Sequence, residues 1–235
     1  MNQHAHLIDF HSHILPAVDH GSDGIEESLS QMRMIQDYGV DTIVATPHFY
    51  PELHRVEDHL AQVEQALNQL RASSLPFRSR LCVGAEVLYC DRIDRMEGLD
   101  RLCIRGTDIL LLEMSMNQWG NDIFETVEAL LGRYTVVLAH IDRYVRTQSE
   151  EIETLMDMGA LAQINAESLF SFSARRKLAP FLEREGVVAL GSDLHNTDEK
   201  AYQKFASADK KLGLLHAAIM GRSTDLLRNA QSLLP

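Results

Sequence analysis

Apolar runs of four or five residues alternate along the whole chain with stretches whose apolar side chains recur every three or four positions. The first pattern suits strands buried on both faces, the second amphipathic helices. Leu7-Ile8 opens a first strand that runs out through Asp9-Phe10-His11-Ser12-His13. Asp23, with Glu26 three residues on, marks a helix start; Ile25, Leu29, Met32 and Ile35 form its stripe, and Gly39 ends it. Residues 42–45 make a second strand, stopped by Thr46-Pro47-His48, and Val56, Leu60, Val63, Leu67 and Leu70 line one face of a long second helix. Strands three to seven fall at residues 81–85, 109–112, 136–139, 161–165 and 187–190, with helices at about 122–131, before Gly159, and at about 174–184. Helical sequence fills the C-terminus, where Ser223 or Thr224 is placed to cap a last short helix.

Seven β/α units without a linker predict one α/β domain over residues 1–235, built on parallel strands. A barrel is expected rather than an open sheet, because the glycine-rich phosphate loop of dinucleotide-binding sheets is missing after strand one.

The residues that follow these strands carry the chemistry. His11 and His13 close strand one, and their spacing of two puts both imidazoles on one face of an extended chain. His48 follows strand two, Glu86 strand three, Glu113 strand four, His140 strand five, and Asp193 and His195 strand seven. Any one of them alone reads equally well as a core or surface residue. In a parallel barrel, however, those strand ends converge on a single face. A tetrahedral zinc takes three or four ligands, so this set predicts two or three ions with a carboxylate such as Glu86 bridging. Nitrogen and oxygen donors without thiolate suit manganese, iron or zinc rather than calcium.

Composition narrows the rest. The chain has 235 residues, 45% hydrophobic and 24% charged, enough for a real core. With 22 Lys and Arg against 34 Asp and Glu, the net charge of −12 argues against nucleic-acid binding, which needs basic surface; metal ions can still reverse the local field for an anionic substrate. Cys82, Cys90 and Cys103 form no CxxC pair and fit a reducing compartment. They also lack the Cys-x5-Arg loop of thiol phosphatases, since Leu88, Met96 and Ile109 stand where the arginine would be. No run is long enough to insert into a membrane, and Met1-Asn2-Gln3-His4-Ala5-His6 is not a signal peptide. A cytoplasmic protein is expected.

The motifs His11-Ser12-His13, Thr46-Pro47-His48, Gly84-Ala85-Glu86, Glu113, Ala139-His140 and Ser192-Asp193-Leu194-His195-Asn196 resemble those of the polymerase and histidinol phosphatase (PHP) superfamily. His11 to Pro16, Gly21 and Ala139 to Tyr144 are similar, more narrowly, to the bacterial CpsB/CapC/YwqE type of manganese-dependent protein-tyrosine phosphatase. The match runs from residue 7 to about 200. It implies a distorted (β/α)7 barrel of TIM type, here a single PHP metallophosphoesterase domain, with three metals. His11, His13, Glu86 and Asp193 would hold one ion, Glu86, Glu113 and His140 a second, and His48 and His195 the third. The third needs one more ligand, from a loop that reads Asp-Asp-Gly in the family and Asp19-His20-Gly21 here. Register points to His20, with Asp19 as the alternative.

Arg143 matches the family arginine that grips the substrate phosphate, and a guanidinium three residues past His140 suits that bidentate role. A second family arginine falls on Lys200, which keeps the charge and loses the fork. The implied reaction is phosphomonoester hydrolysis by a metal-bound hydroxide, with Asp193 or water serving the phenolic leaving group. The implied substrate is a phosphotyrosine protein, a bacterial tyrosine autokinase of capsule or exopolysaccharide synthesis. Rival readings on the same residues are a histidinol-phosphate or other small-molecule phosphatase, a PHP exonuclease, which the acidic composition disfavours, and a non-catalytic binding module, which the full ligand set disfavours.

Overall fold

The apolar runs become short, buried, parallel strands. In the computed structural model, which describes residues 6–73 and 76–234, they are β1 (Ile8–Ser12), β2 (Thr42–Ala45), β3 (His48–Phe49), β4 (Arg80–Val83), β5 (Glu86–Leu88), β6 (Ile109–Glu113), β7 (Thr135–Leu138), β8 (Leu161–Asn165) and β9 (Val187–Gly191). Every paired neighbour is parallel. Among the described residues they form two sheets, in the orders β1-β2-β4 and β3-β5-β6-β7-β8-β9.

The expected second and third strands are each broken in two. Only Thr46-Pro47 separates β2 from β3, and only Gly84-Ala85 separates β4 from β5. Pro47 has no amide to continue a ladder at the first break, and the second half of each strand, β3 and β5, lies in the other sheet. The sheets stay in contact at both seams: Gly84 N–H donates to the Ala45 carbonyl and Glu86 N–H to that of Pro47. Where β9 ends, Asp193 N–H donates to His11 and His13 N–H to Leu194, both at 2.9 Å.

Helices α1 (Ile25–Asp37), α2 (Val56–Ala72), α3 (Asn121–Leu131), α4 (Ser149–Asp157), α5 (Phe172–Leu182), α6 (Glu199–Ala206), α7 (Asp209–Leu212) and α8 (Leu214–Leu226) connect or cover the strands. Their inner faces are slightly rotated from the expected stripes. On α2, His59 and Ala66 are buried with Val56, Val63, Leu67 and Leu70, while Leu60 sits at the edge; the His59 ring meets Phe49 edge-on at 5.3 Å. On α1, Ser28 and Gln31 turn inward, and Ile25 and Leu29 are only partly covered. The expected start of α1 is displaced by one residue. Gly24 caps it without a side chain, and Glu27 rather than Glu26 reaches back to the Asp23 amide, at 2.8 Å. α5 begins two residues early because Ser171 accepts from the Ala174 amide.

Ser223 and Thr224 cap nothing. Both lie in the last turn of α8, where the Ser223 hydroxyl donates to Val188 O at 2.7 Å and Thr224 to Met220 O. The Ser223 bond pins α8 against β9, while that of Thr224 stays within the helix. The three cysteines are free, with Cys82 and Cys103 buried. Among the described residues no helix is long and apolar enough to cross a membrane; the reading of the N-terminus as lacking a signal peptide falls largely on residues 1–5, outside those described.

Truncating Leu67, fully buried on α2, is expected to lower the unfolding free energy by about 2–5 kcal/mol, through lost transfer energy and a residual cavity. Gln62→Ala on the exposed face of the same helix should change it by less than about 0.5 kcal/mol. Urea denaturation followed by circular dichroism checks the contrast.

Candidate metal centre

Parallel strands present their C-terminal ends together, and that is where the expected ligands gather. β1 carries His11, with His13 one residue beyond its end; β3 begins with His48, β5 with Glu86, and β6 ends with Glu113. His140 and Asp193 stand just past β7 and β9 in left-handed backbone, at φ of 31° and 54°. L-residues adopt such conformations at a cost of about 1–3 kcal/mol and keep them where surrounding structure enforces them. Both turns swing a donor side chain back over the strand ends.

All the expected first-ion residues meet. His11 Nε2 lies 3.1 Å from His13 Nε2. Glu86 Oε2 is 3.2 and 3.4 Å from these two nitrogens, and Asp193 Oδ1 is 3.7 and 3.4 Å from them. The hydrogen bonds behind the rings fix what faces forward. His11 Nδ1 donates to Gln163 Oε1 at 3.2 Å, and His13 Nδ1 donates to Asp19 Oδ2 at 2.7 Å. In the neutral imidazoles, therefore, both Nε2 atoms carry lone pairs. Glu86 Oε2 and Asp193 Oδ1 are buried without a hydrogen-bond partner. Four acceptors pointing at one another inside a protein are unfavourable unless a cation lies among them. The residues present thus fit a divalent ion.

Two further groups adjoin. His140 Nε2 is 2.6 Å from Glu86 Oε1 and 3.7 Å from Glu113 Oε1. His48 Nε2 faces His195 Nε2 at 3.4 Å, and its Nδ1 approaches Glu86 Oε2 to 2.8 Å without hydrogen-bonding geometry. His195 Nδ1 donates to the Asp193 carbonyl at 2.9 Å, leaving its Nε2 as a donor to metal. Overlapping triads with ligand atoms within 4.8 Å include His13-His48-His195, His11-Glu86-His140, His11-His13-Asp193 and His48-Glu86-Glu113. His20 lies outside these triads and is exposed, yet its ring stacks on His48 at 4.6 Å and lies tilted beside that of His195 at 4.8 Å. Asp19 instead turns behind the cluster, accepting from His13, from the His48 amide at 2.8 Å and from the Gly21 amide at 2.9 Å.

Charge follows the same geometry. Burial alone would raise the pKa of Glu86 and of Asp193, but adjoining His11 and His13 hold both carboxyls well below the usual range, with His140 helping at Glu86 and Arg143 at Asp193. Burial and the nearby Glu86 carboxylate push Glu113 up. Arg143 reaches the rim from the turn after β7. Its guanidinium bonds Asp193 Oδ2 and lies 3.5 Å from Glu113 Oε1, with the side chain 39% exposed. Lys200 sits exposed in the first turn of α6, its amide on Asp198; no cluster residue is bonded to it.

β8, the one expected strand without a candidate ligand at its end, supports the cluster through two residues that apolar patterning does not single out, Gln163 and Asn165. Gln163 Oε1 accepts from His11 Nδ1 and from the His140 amide at 2.6 Å, while its Nε2 donates to Asn165 Oδ1. Asn165 Nδ2 in turn donates to Asp193 Oδ2 at 2.8 Å. One strand therefore orients ligands from three others. The signal was present: Gln163 and Asn165 repeat, two residues apart, the spacing of His11 and His13. Two glycines are equally specific. A Cβ on Gly21 would collide with the Cβ and carbonyl of His13, and one on Gly191 would lie 2.6 Å from both His11 Cβ and Gln163 Nε2.

A parallel α/β scaffold with buried imidazoles and carboxylates at its strand ends, and a guanidinium at their rim, defines a metalloprotein of the hydrolytic type. The chain belongs to the capsular polysaccharide synthesis family CpsB/CapC, whose model matches residues 7–214. It is 29% identical over 204 residues to the tyrosine-protein phosphatase CpsB of Streptococcus agalactiae, covering 82% of this chain and 84% of that protein. It is 24% identical over 241 residues to the tyrosine-protein phosphatase YwqE of Bacillus subtilis, covering 97% and 93%. In structure it matches a crystal structure from a study of Bacillus subtilis YwqE and Streptococcus pneumoniae CpsB, described as metal-dependent tyrosine phosphatases. The TM-score is 0.77 at 22% identity, over 96% of both chains. A histidinol phosphate phosphatase from Lactococcus lactis shares the fold more distantly, at a TM-score of 0.52 and 14% identity over 88% of this chain and 94% of that one.

Replacing Gln163 with Leu, close in size but unable to bond His11, is expected to weaken the binding of added divalent metal about 10- to 100-fold. Competition against a chromogenic chelator reads the affinity, and the far-ultraviolet spectrum of the chelated protein controls for folding.

Proposed function

We propose that this protein is a metal-dependent protein-tyrosine phosphatase that hydrolyses phosphotyrosine on bacterial proteins. The observation that carries it is Arg143 poised on Asp193 and Glu113 at the rim of a buried cluster of imidazoles and carboxylates. Relatives named as tyrosine-protein phosphatases support the specificity. We read the broken run of parallel strands as a distorted (β/α)7 barrel of the PHP type, forming one domain. The cluster is read as holding two to three ions, manganese in the cell, with His20 completing the third site. The substrate in this reading is a tyrosine autokinase controlling capsule or exopolysaccharide synthesis in the cytoplasm.

The ions, when bound, supply an acidified water and positive charge for the phosphoryl oxygens. The chain's own residues do the rest. Arg143 exchanges its carboxylate partners for two phosphoryl oxygens, aligning the ester and stabilising charge as the bond breaks. Asn165 holds Asp193 in place when Arg143 lets go. Phenol, with a pKa near 10, departs with little proton assistance. Asp193 is held ionised by its neighbours, so of the two candidates for that lesser role, water is the better. Lys200 adds charge near the entrance in this scheme. No thiol competes as nucleophile: burial raises all three, Cys103 to about 12.

A phosphotyrosine peptide, a phosphoserine peptide and histidinol phosphate, each assayed with defined metals, test the reading. Chelation is expected to abolish turnover and manganese to restore it, with the phosphotyrosine peptide preferred. Arg143→Ala should lower kcat/KM about 10²- to 10³-fold, comparable to loss of one transition-state donor, without lowering metal affinity. Equal or faster turnover of histidinol phosphate would overturn the specificity, and an undiminished Arg143→Ala enzyme would overturn the site.

A further inference from the structure

A cleft of about 470 Å³ opens beside the cluster, its lining including Tyr50, Glu52, Leu53, Leu88, Tyr89 and Asn117. Its walls are continuations of the ligand-bearing strands. Tyr50 lies two residues past His48, Leu88 two past Glu86, and Ser115, also in the wall, two past Glu113. The Tyr50 ring stacks on His48 at 5.3 Å and 18°, so the cleft begins at the cluster itself. Arg143 comes in elsewhere on the rim, against Asp193 and Glu113.

Both rims are held in shape and carry apolar side chains in water. Leu53 is 77% exposed and Met116 71%. The loop bearing Met116 is fixed by Trp119 Nε1 donating to the Ser115 carbonyl at 2.8 Å and by Gln148 Nε2 donating to that of Asn117 at 3.0 Å. The loop bearing Leu53 is a tight turn, with the amides of Leu53 and His54 both donating to the Tyr50 carbonyl at 2.9 Å. A preformed, largely apolar cleft with a few polar groups is the usual form of a ligand subsite. A phosphate anchored over the ligands and Arg143 must lead the rest of its substrate outward, and this cleft is apolar surface contiguous with His48.

We infer that the cleft is a specificity subsite for the polypeptide around the phosphotyrosine: the phenyl ring lies against Tyr50, and a neighbouring apolar side chain of the peptide packs between Leu53 and Leu88. Glu52 on the same wall disfavours acidic neighbours by like charge. This rests on the phosphotyrosine reading and adds to it a sequence preference that a small phosphate ester would not show.

The test compares p-nitrophenyl phosphate with two phosphotyrosine peptides, flanked on both sides by Leu or by Asp, using the manganese-loaded wild type, Leu53→Ser and Glu52→Lys. The wild type should favour the Leu peptide. Leu53→Ser should lose about tenfold in kcat/KM on that peptide, the scale of one apolar contact in a pocket, while p-nitrophenyl phosphate turnover is unchanged. Glu52→Lys should raise kcat/KM on the Asp peptide. Equal wild-type rates on the two peptides, or a Leu53→Ser loss that is the same on all substrates or absent, would overturn the subsite and leave the phosphatase standing. A wild type that cleaves p-nitrophenyl phosphate and neither peptide overturns the phosphotyrosine reading, and the subsite with it.

Discussion

Glu86 is a buried carboxylate with four imidazoles around it. One oxygen faces His11, His13 and His48 within 3.4 Å, and the other meets His140 at 2.6 Å. A charge taken out of water to that depth is tolerated only when compensated, and much of the architecture follows from supplying the compensation. The break between β4 and β5 lets Glu86 open a strand in the second sheet, paired in register with His48. The corresponding break at Pro47 brings His48 there. Two sheets that would otherwise be one are thus stitched at the point where the carboxylate needs its partners.

Other parts of the chain accept local cost for the same end. His140 and Asp193 occupy backbone that L-residues avoid, and Gly21 and Gly191 give up side chains so that His13 and His11 can stand where they do. Gln163 and Asn165 place polar side chains in the middle and at the end of an otherwise apolar strand, where they bond each other, the His11 ring, the His140 amide and the Asp193 carboxylate. Such departures from good strand and turn chemistry mark a site whose geometry is held against local preference. They also make it rigid: the donors are oriented before any ion arrives.

The electrostatics resolve an apparent conflict between an acidic protein and an anionic substrate. The chain carries −12 overall, and the cluster itself concentrates Glu86, Glu113, Asp19 and Asp193. Divalent ions reverse that field locally, and Arg143 is already paired with the two carboxylates nearest the rim, Glu113 and Asp193. In the proposed reaction, phosphate binding there would be an exchange of anions around a guanidinium, which limits the desolvation cost of gripping it.

Strand order, helix order and the gathering of donor side chains at the strand ends were legible in the sequence because each rests on local rules: apolar runs, period-3.6 stripes, and donor residues at the ends of runs. Parallel strands bring such ends together whatever their exact pairing, so His11, His13, His48, Glu86, Glu113, His140, Asp193 and His195 could be grouped without coordinates. Boundaries that depend on what packs across were less legible. Glu27 replaces Glu26 because the helix is capped one residue later, at Gly24, whereas His59 buried in place of Leu60 and Ser223 bonding β9 instead of capping a helix are choices made by a neighbour distant in sequence. The division of the strands into two sheets, the supporting role of β8, and the turning of Asp19 behind His13 while His20 stacks in front belong wholly to the tertiary structure. They are decided by which atoms on separate strands come within hydrogen-bonding distance, and no single stretch of sequence carries that distance.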